Sequence, residues 1–136
     1  MRWLLWLCIL AALIDLRAFG LTDLDEGFYA AVVGEMNRRG DWITPWYNGR
    51  PWFEKPILLY WLAKPTVAWF GEVWGPRLPS VLCALGLALV VRRAALRYGE
   101  AAGFWSAAVL STSLLAVGLG RMMMTDMPMA LTFSAC

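Results

Sequence analysis

The sequence predicts an all-α membrane protein: a polytopic transmembrane helix bundle, with amphipathic juxtamembrane helices in a long first extracytoplasmic loop. Three observations carry this. The 136-residue chain is 60% hydrophobic and only 16% charged, whereas about a quarter of a soluble domain is charged. Apolar runs at residues 3–21 and 101–120 each reach the ~20 residues a helix needs to cross a bilayer core. Between them residues 22–72 form a polar, aromatic stretch with prolines at 45, 51, 56 and 65.

The elements follow in order. Trp3 to Leu21 is the first span, flawed by Asp15 and Arg17 near its far end. Arg can snorkel there. No small-residue cleavage site follows the apolar core, so a retained span is expected rather than a removed signal peptide. Thr22 and Asp25 then have the spacing of a helix N-terminal cap. Phe28, Ala31, Val32 and Met36 make one apolar stripe, Arg38 and Arg39 suit a last turn, and Gly40 suits a stop. A helix along the membrane surface is expected here.

In "TPWYNGRPWFEKP", Asn48-Gly49 signals a turn. Its three prolines argue against regular structure. "ILLYWLAKPTVAWFG" is broken by Lys64-Pro65 into pieces too short to span, and its aromatics suit the membrane interface. Lys64 reads as an interfacial anchor. Residues 73–91 form the second span, with Pro76 and Pro79 in its first turn. "RRAALRYGE" interrupts it, residues 101–120 form the third span, and 127–136 begin a fourth. A chain ending in an apolar run predicts the N-terminal part of a longer protein.

Arg92, Arg93 and Arg97 crowd one short loop, and Arg2 flanks the first span. Alternating crossings put both on one side, which the positive-inside rule makes cytoplasmic. The long loop and residues 121–127 then face outward. Asp25, Lys55, Arg121 and Asp126 would share that side.

Composition excludes several functions. The net charge is +2 and there is no histidine. Nucleic acid binding, histidine acid/base work and a Ser-His-Asp triad are therefore not expected. Cys8, Cys83 and Cys136 lie in apolar segments and read as buried hydrophobes. The aligned acids and bases suit other chemistry. A carboxylate can take a proton from a hydroxyl, and a cation can stabilise phosphate charge. At a membrane edge, this suits transfer from a lipid-linked phosphate. The same acids also suit a plain helix cap, at ~0.3–1 kcal/mol each. Asp23-Leu24-Asp25 could alternatively hold Mg²⁺ or Mn²⁺.

"DLDEGFYA", "GDWITPWYNGRPWFEKPILLYW", "RLPS" and "RMMMTDMPMA" together resemble the N-terminal part of C-type-fold membrane glycosyltransferases. The resemblance is to the bacterial aminoarabinose transferase and protein mannosyltransferase superfamily. It implies an enzyme of the bacterial inner (plasma) membrane, with its active site facing the periplasm or exterior. Its partners would be a polyprenyl-phosphate-linked sugar donor, a lipid or protein acceptor and membrane lipids, but no nucleic acid. It would need no cofactor and no metal. Catalytic roles carry over to Asp25 and Asp126, and Glu26 is counted with them, to orient a helix or bind the acceptor. Lys55 would contact the donor phosphate. Family members commonly carry Arg two positions after the Glu; Phe28 stands there in this chain. Arg121 or a later residue must then supply that charge, or the donor differs. Glu54, Tyr29, Trp46, Trp52 and Trp61 are the candidates for lining the substrate cavity. The rival reading is a non-enzymatic polytopic transporter or membrane assembly subunit, whose charges would fall within its spans.

Overall fold

The computed structural model describes residues 24–136. The first predicted span, Thr22 and Asp23 lie outside the described residues. The described chain divides into two units: residues 24–79 with Met122–Met124, and Ser80–Arg121 with Thr125–Cys136.

In the first unit, α1 runs Leu24–Arg39, with Asp25 and Glu26 in its first turn and Arg38 and Arg39 in its last. Both ends complement the helix dipole. Gly40 follows at φ 68°, a left-handed stop open to glycine at no steric cost. The buried face carries Tyr29, Val32, Val33 and Met36. It is rotated from the predicted stripe, because Ala31 is exposed.

The reason is a partner. Helix α2, Ile57–Trp74, brings Leu59, Tyr60, Ala63 and Val67 to the same core, together with Met123. Fully burying a large side chain stabilises by about 1.5–3 kcal/mol. The exposed Arg38–Glu72 pair, at 4.0 Å, contributes at most about 1 kcal/mol. Burial therefore decides the packing of α1 on α2.

Helix α2 continues through Lys64-Pro65, where a break was expected. It breaks instead at Gly71, at φ 81° and ψ 177°. Beyond that point the chain closes back on the helix. Thr66 Oγ1 donates to Gly75 O at 2.6 Å. A Cβ on Gly75 would lie 2.3 Å from Val67 Cα, so the approach admits only glycine.

Between the helices sits a small antiparallel hairpin, β1 (Trp46–Tyr47) and β2 (Arg50–Pro51). Trp46 pairs with Pro51 and Tyr47 with Arg50. Asn48 and Gly49 have φ of 49° and 76°, as a two-residue hairpin turn requires. The turn signal thus holds, but the prolines do not exclude strands. Pro51 ends the ladder, a place where its missing N–H is tolerated. The all-α expectation gains this one strand pair.

The second unit is helical. Helix α3 covers Leu78–Ala95 and a 3₁₀ turn extends it over Leu96–Tyr98. Over Leu78–Tyr98 it is the one helix among the described residues long and apolar enough to cross a membrane. It starts five residues later than predicted, because residues 73–77 form the fold-back after Gly71. Pro79 does fall in its first turn.

The uncharged run 101–120 is two helices, α4 (Glu100–Thr112) and α5 (Leu114–Gly120), bent by 64°. Together, but not singly, they are long and apolar enough to cross a membrane. Ser113 is extended, at φ −67° and ψ 135°, and its side chain accepts from the Ala116 N–H. The hydroxyl of Thr112 bonds back to Ala108 O at 2.8 Å. Hydroxyls that compete for the backbone in this way bend helices. Helix α6 covers Asp126–Ala135, close to the predicted start of the fourth span.

Candidate functional site

Two of the buried charges of the first unit, Glu26 and Arg77, face each other. Their side chains are 0% and 5% exposed. Arg77 Nε donates to Glu26 Oε1 at 2.7 Å, and its Nη2 donates to Oε2 at 2.8 Å. The Met123 N–H also donates to Glu26 Oε1, at 3.3 Å. This two-pronged geometry is the strong form of a carboxylate–guanidinium contact. The bond to Glu26 holds the Arg77 pKa above its ordinary value, against the effect of burial. The sequence reading assigned no role to Arg77. Its signal was an arginine between Pro76 and Pro79 at the foot of an apolar run.

Asp25, one residue before Glu26, is exposed on the first turn of α1. The burial of Glu26 turns its neighbour outward. One turn on, Tyr29 is buried, and the Lys55 ammonium lies 5.5 Å from the centre of its ring, within cation–π range. Glu54 is exposed. Fully buried Tyr60 has a hydroxyl with no hydrogen-bond partner. Burial, with help from Tyr29 and Glu54, pushes its pKa up to about 12, so it stays protonated. The first loop thus brings Tyr29 and Lys55 together, with Asp25 facing out from the same helix.

The predicted tryptophans do different things. Trp52 stacks on Phe28, with ring centres 6.0 Å apart and planes 3° from parallel. Tyr47 lies 4.8 Å from Phe28 and 5.4 Å from Trp52. Phe28 is therefore one member of a three-ring cluster, and the Trp52 indole N–H inside it has no hydrogen-bond partner. Trp46 is committed to the loop itself. Its Nε1 donates to Asp41 Oδ2 at 2.9 Å, and the Arg39 guanidinium lies 4.2 Å over its ring. Trp61 is exposed and donates to Trp42 O at 2.6 Å.

Asp41 also accepts from the Ile43 and Thr44 N–H groups. The Trp46 bond, then these two, lower its pKa to about 2. Glu35 holds Arg39 at 2.8 Å and accepts from the Gly49 N–H, tying the hairpin turn to α1. Lys64 is not the interfacial anchor expected. It is buried and donates at 3.0 Å to both Met36 O and Asn37 Oδ1. Asn37 returns a bond to Lys64 O. The ammonium thus reaches the Met36 carbonyl in the last turn of α1, which also accepts from the Asp41 N–H. Burial lowers the Lys64 pKa, offset in part by Asp41.

The other two predicted residues belong to the second unit. Arg121 follows α5 as its C-terminal cap and lines a mainly apolar cavity of about 90 Å³ with Val81, Leu85, Ala88 and Val117. Asp126 opens α6, is exposed, and borders a wider apolar hollow of about 450 Å³ with Leu115, Leu119, Met129 and Phe133. Met127 is buried and lines both. Among the described residues, no group of three or more His, Cys, Asp or Glu side chains converges on a metal-sized site.

Sequence comparison supplies what geometry alone does not. An undecaprenyl phosphate-alpha-4-amino-4-deoxy-L-arabinose arabinosyl transferase of Sodalis glossinidius is 33% identical over 134 residues, 95% of this chain. One from Pseudomonas savastanoi is 38% identical over 99 residues, 72% of this chain. Another, from Pseudomonas fluorescens, is 39% identical over 95 residues, 66% of this chain.

The chain belongs to the bacterial aminoarabinose transferase superfamily.

It spans only 24%, 17% and 16% of the lengths of these relatives, in the same order. No protein-family model matches the chain. No solved structure matches it either.

Proposed function

We propose that this chain is part of a membrane glycosyltransferase that moves a sugar from a polyprenyl phosphate to a lipid or protein acceptor. The observation that carries this is the similarity, over 95% of the chain, to a transferase named for an undecaprenyl-phosphate sugar. The geometry of the loop supports it. Asp25 is exposed beside a fully buried Glu26, and Lys55 is held at Tyr29 by a proline-bounded turn.

In this reading the prenyl chain lies against apolar helices such as those around Arg121 and Asp126. Lys55 meets the donor phosphate, and Arg121 supplies further positive charge. Asp25 takes the proton from the acceptor hydroxyl, or orients the acceptor where that group is itself a phosphate. The bond from sugar C1 to the phosphate oxygen breaks, and polyprenyl phosphate leaves as an anion that needs no strong acid. Asp126 is the second acidic group of the site. Glu54 and the Phe28–Tyr47–Trp52 rings border the sugar, and Trp61 lies at the edge of the loop. The site faces the periplasm or exterior of the inner membrane. A transporter or assembly subunit is not favoured, because the relatives are named as transferases.

The test uses the complete protein in lipid and follows release of undecaprenyl phosphate from undecaprenyl-phosphate sugars. Asp25→Asn and Lys55→Ala are expected to lower kcat/KM by about 10²-fold or more, with folded yield unchanged and EDTA without effect. Full turnover in Asp25→Asn would remove the proposed base.

A further inference from the structure

We propose that Glu26 and Arg77 form a positioning latch that sets the register of the first turn of α1 against residues 122–124, and that turnover depends on this register. The inference rests on the transfer reading above. The latch itself stands on geometry within one unit.

Four observations carry it. The Glu26 carboxylate is fully buried and receives the Arg77 fork at 2.7 and 2.8 Å. One of its oxygens also accepts from the Met123 main chain, at 3.3 Å, across 97 residues of sequence. Met123 is itself fully buried in the core formed by α1 and α2. Arg77 is aimed by the fold-back, where Gly71 takes a left-handed φ of 81° and a Cβ on Gly75 would lie 2.3 Å from Val67 Cα.

A buried ion pair is weak evidence for stability, because apolar residues of the same shape often serve as well. Its advantage is direction. A two-pronged contact fixes both partners in angle as well as distance. Asp25 is covalently next to Glu26, so fixing one carboxylate inward fixes the other outward. Through the Met123 N–H the same carboxylate also holds the main chain of residues 122–124. Glu26 is thus a positioning residue that touches neither donor nor acceptor, and Arg77 is its partner.

The experiment compares Glu26→Asp and Arg77→Lys with the wild-type complete protein in lipid nanodiscs. Both variants keep the charges of the pair. The first retracts the carboxylate by one methylene, and the second loses the fork. Three quantities are read: thermal midpoint, amide exchange of residues 122–124, and turnover of undecaprenyl-phosphate sugars.

The expected result for Glu26→Asp is a kcat lower by about 10²-fold, the cost of an ångström-scale misplacement, with donor KM within about threefold of wild type. Exchange at residues 122–124 should rise by about tenfold or more through local opening. The Arg77→Lys variant should move the same way. If one variant fails to fold, the other decides. A kcat within twofold of wild type in a folded variant overturns the catalytic claim. Unchanged exchange at 122–124 overturns the latch. A wild-type protein that turns over no polyprenyl-phosphate sugar overturns the transfer reading and the catalytic claim with it, while the exchange measurement still decides the latch.

Discussion

The two units of this chain are held together by different means. Residues 24–79 with Met122–Met124 pack a closed core between α1 and α2. They pin it with directed polar contacts: Glu26 to Arg77, Lys64 to the end of α1, Glu35 to the hairpin turn, and Asp41 to Trp46. The second unit has few such ties. Leu82, Leu89, Trp105, Val109, Leu114, Leu115 and Phe133 are all exposed on its helices. Small residues make its close contacts, as where a Cβ on Gly120 would lie 3.2 Å from Ala84 Cβ. That is how helices pack when lipid already satisfies their apolar faces. Both units expose large apolar side chains. The first closes a core with directed polar ties, whereas the second relies on the close approach of small residues. The second also holds most of the one helix among the described residues long and apolar enough to cross a membrane.

The contrast predicts how each unit breaks. Gly75→Ala should have the largest effect. Its Cβ would meet backbone at 2.3–2.6 Å, so the fold-back must open and Arg77 must leave Glu26. A loss above about 4 kcal/mol is expected, seen as rapid proteolysis of the first loop in membranes. Gly120→Ala, against a single side chain, should cost less than about 1–2 kcal/mol. Equal losses at the two glycines would erase the distinction.

Acid should also separate the units. The folded-state pKa of Asp41 lies at about 2, below its ordinary value of 3.8. A lowered carboxylate contributes stability above its unfolded pKa and loses it as pH falls through the folded one. The loop around Trp46 should therefore loosen between pH 4 and about 2. Trp46 fluorescence should report this loss, and Asp41→Asn should abolish the pH response. Helicity of the second unit should not follow it.

Ser113→Ala should have an effect as small as that of Gly120→Ala. It removes the bond to Ala116 N–H at 3.3 Å, costing about 0.5–2 kcal/mol as the loss of a helix cap. Spin labels on α4 and α5 should show the 64° bend partly straightened. A bend that does not change would place its cause in the packing of the helices rather than in the hydroxyl.

Much of this was legible in local chemistry. Asp25 and Glu26, the paired arginines and Gly40 mark both ends of α1, because caps and dipoles act within one turn. Asn48-Gly49 marks the hairpin turn, because few residues accept its backbone angles. The "FEKP" and "DE" segments carry the family resemblance. Other features were not legible. Lys64-Pro65 reads as a helix break, but Lys64 reaches the end of α1 and the helix continues. The uncharged run 101–120 reads as one span, yet it folds as two helices that bend at Ser113.

The sequence by itself determined the mainly helical character, the family and the limits of α1 and α6. These depend on apolar runs, caps and motif spacing, which are properties of neighbouring residues. Only the tertiary structure decided which of two adjacent carboxylates would be buried. Glu26 is paired inward because the fold-back at Gly71 and Gly75 delivers Arg77 from 51 positions away. No local pattern encodes that meeting. It follows from the whole path of the chain and from the cost of leaving either charge buried alone.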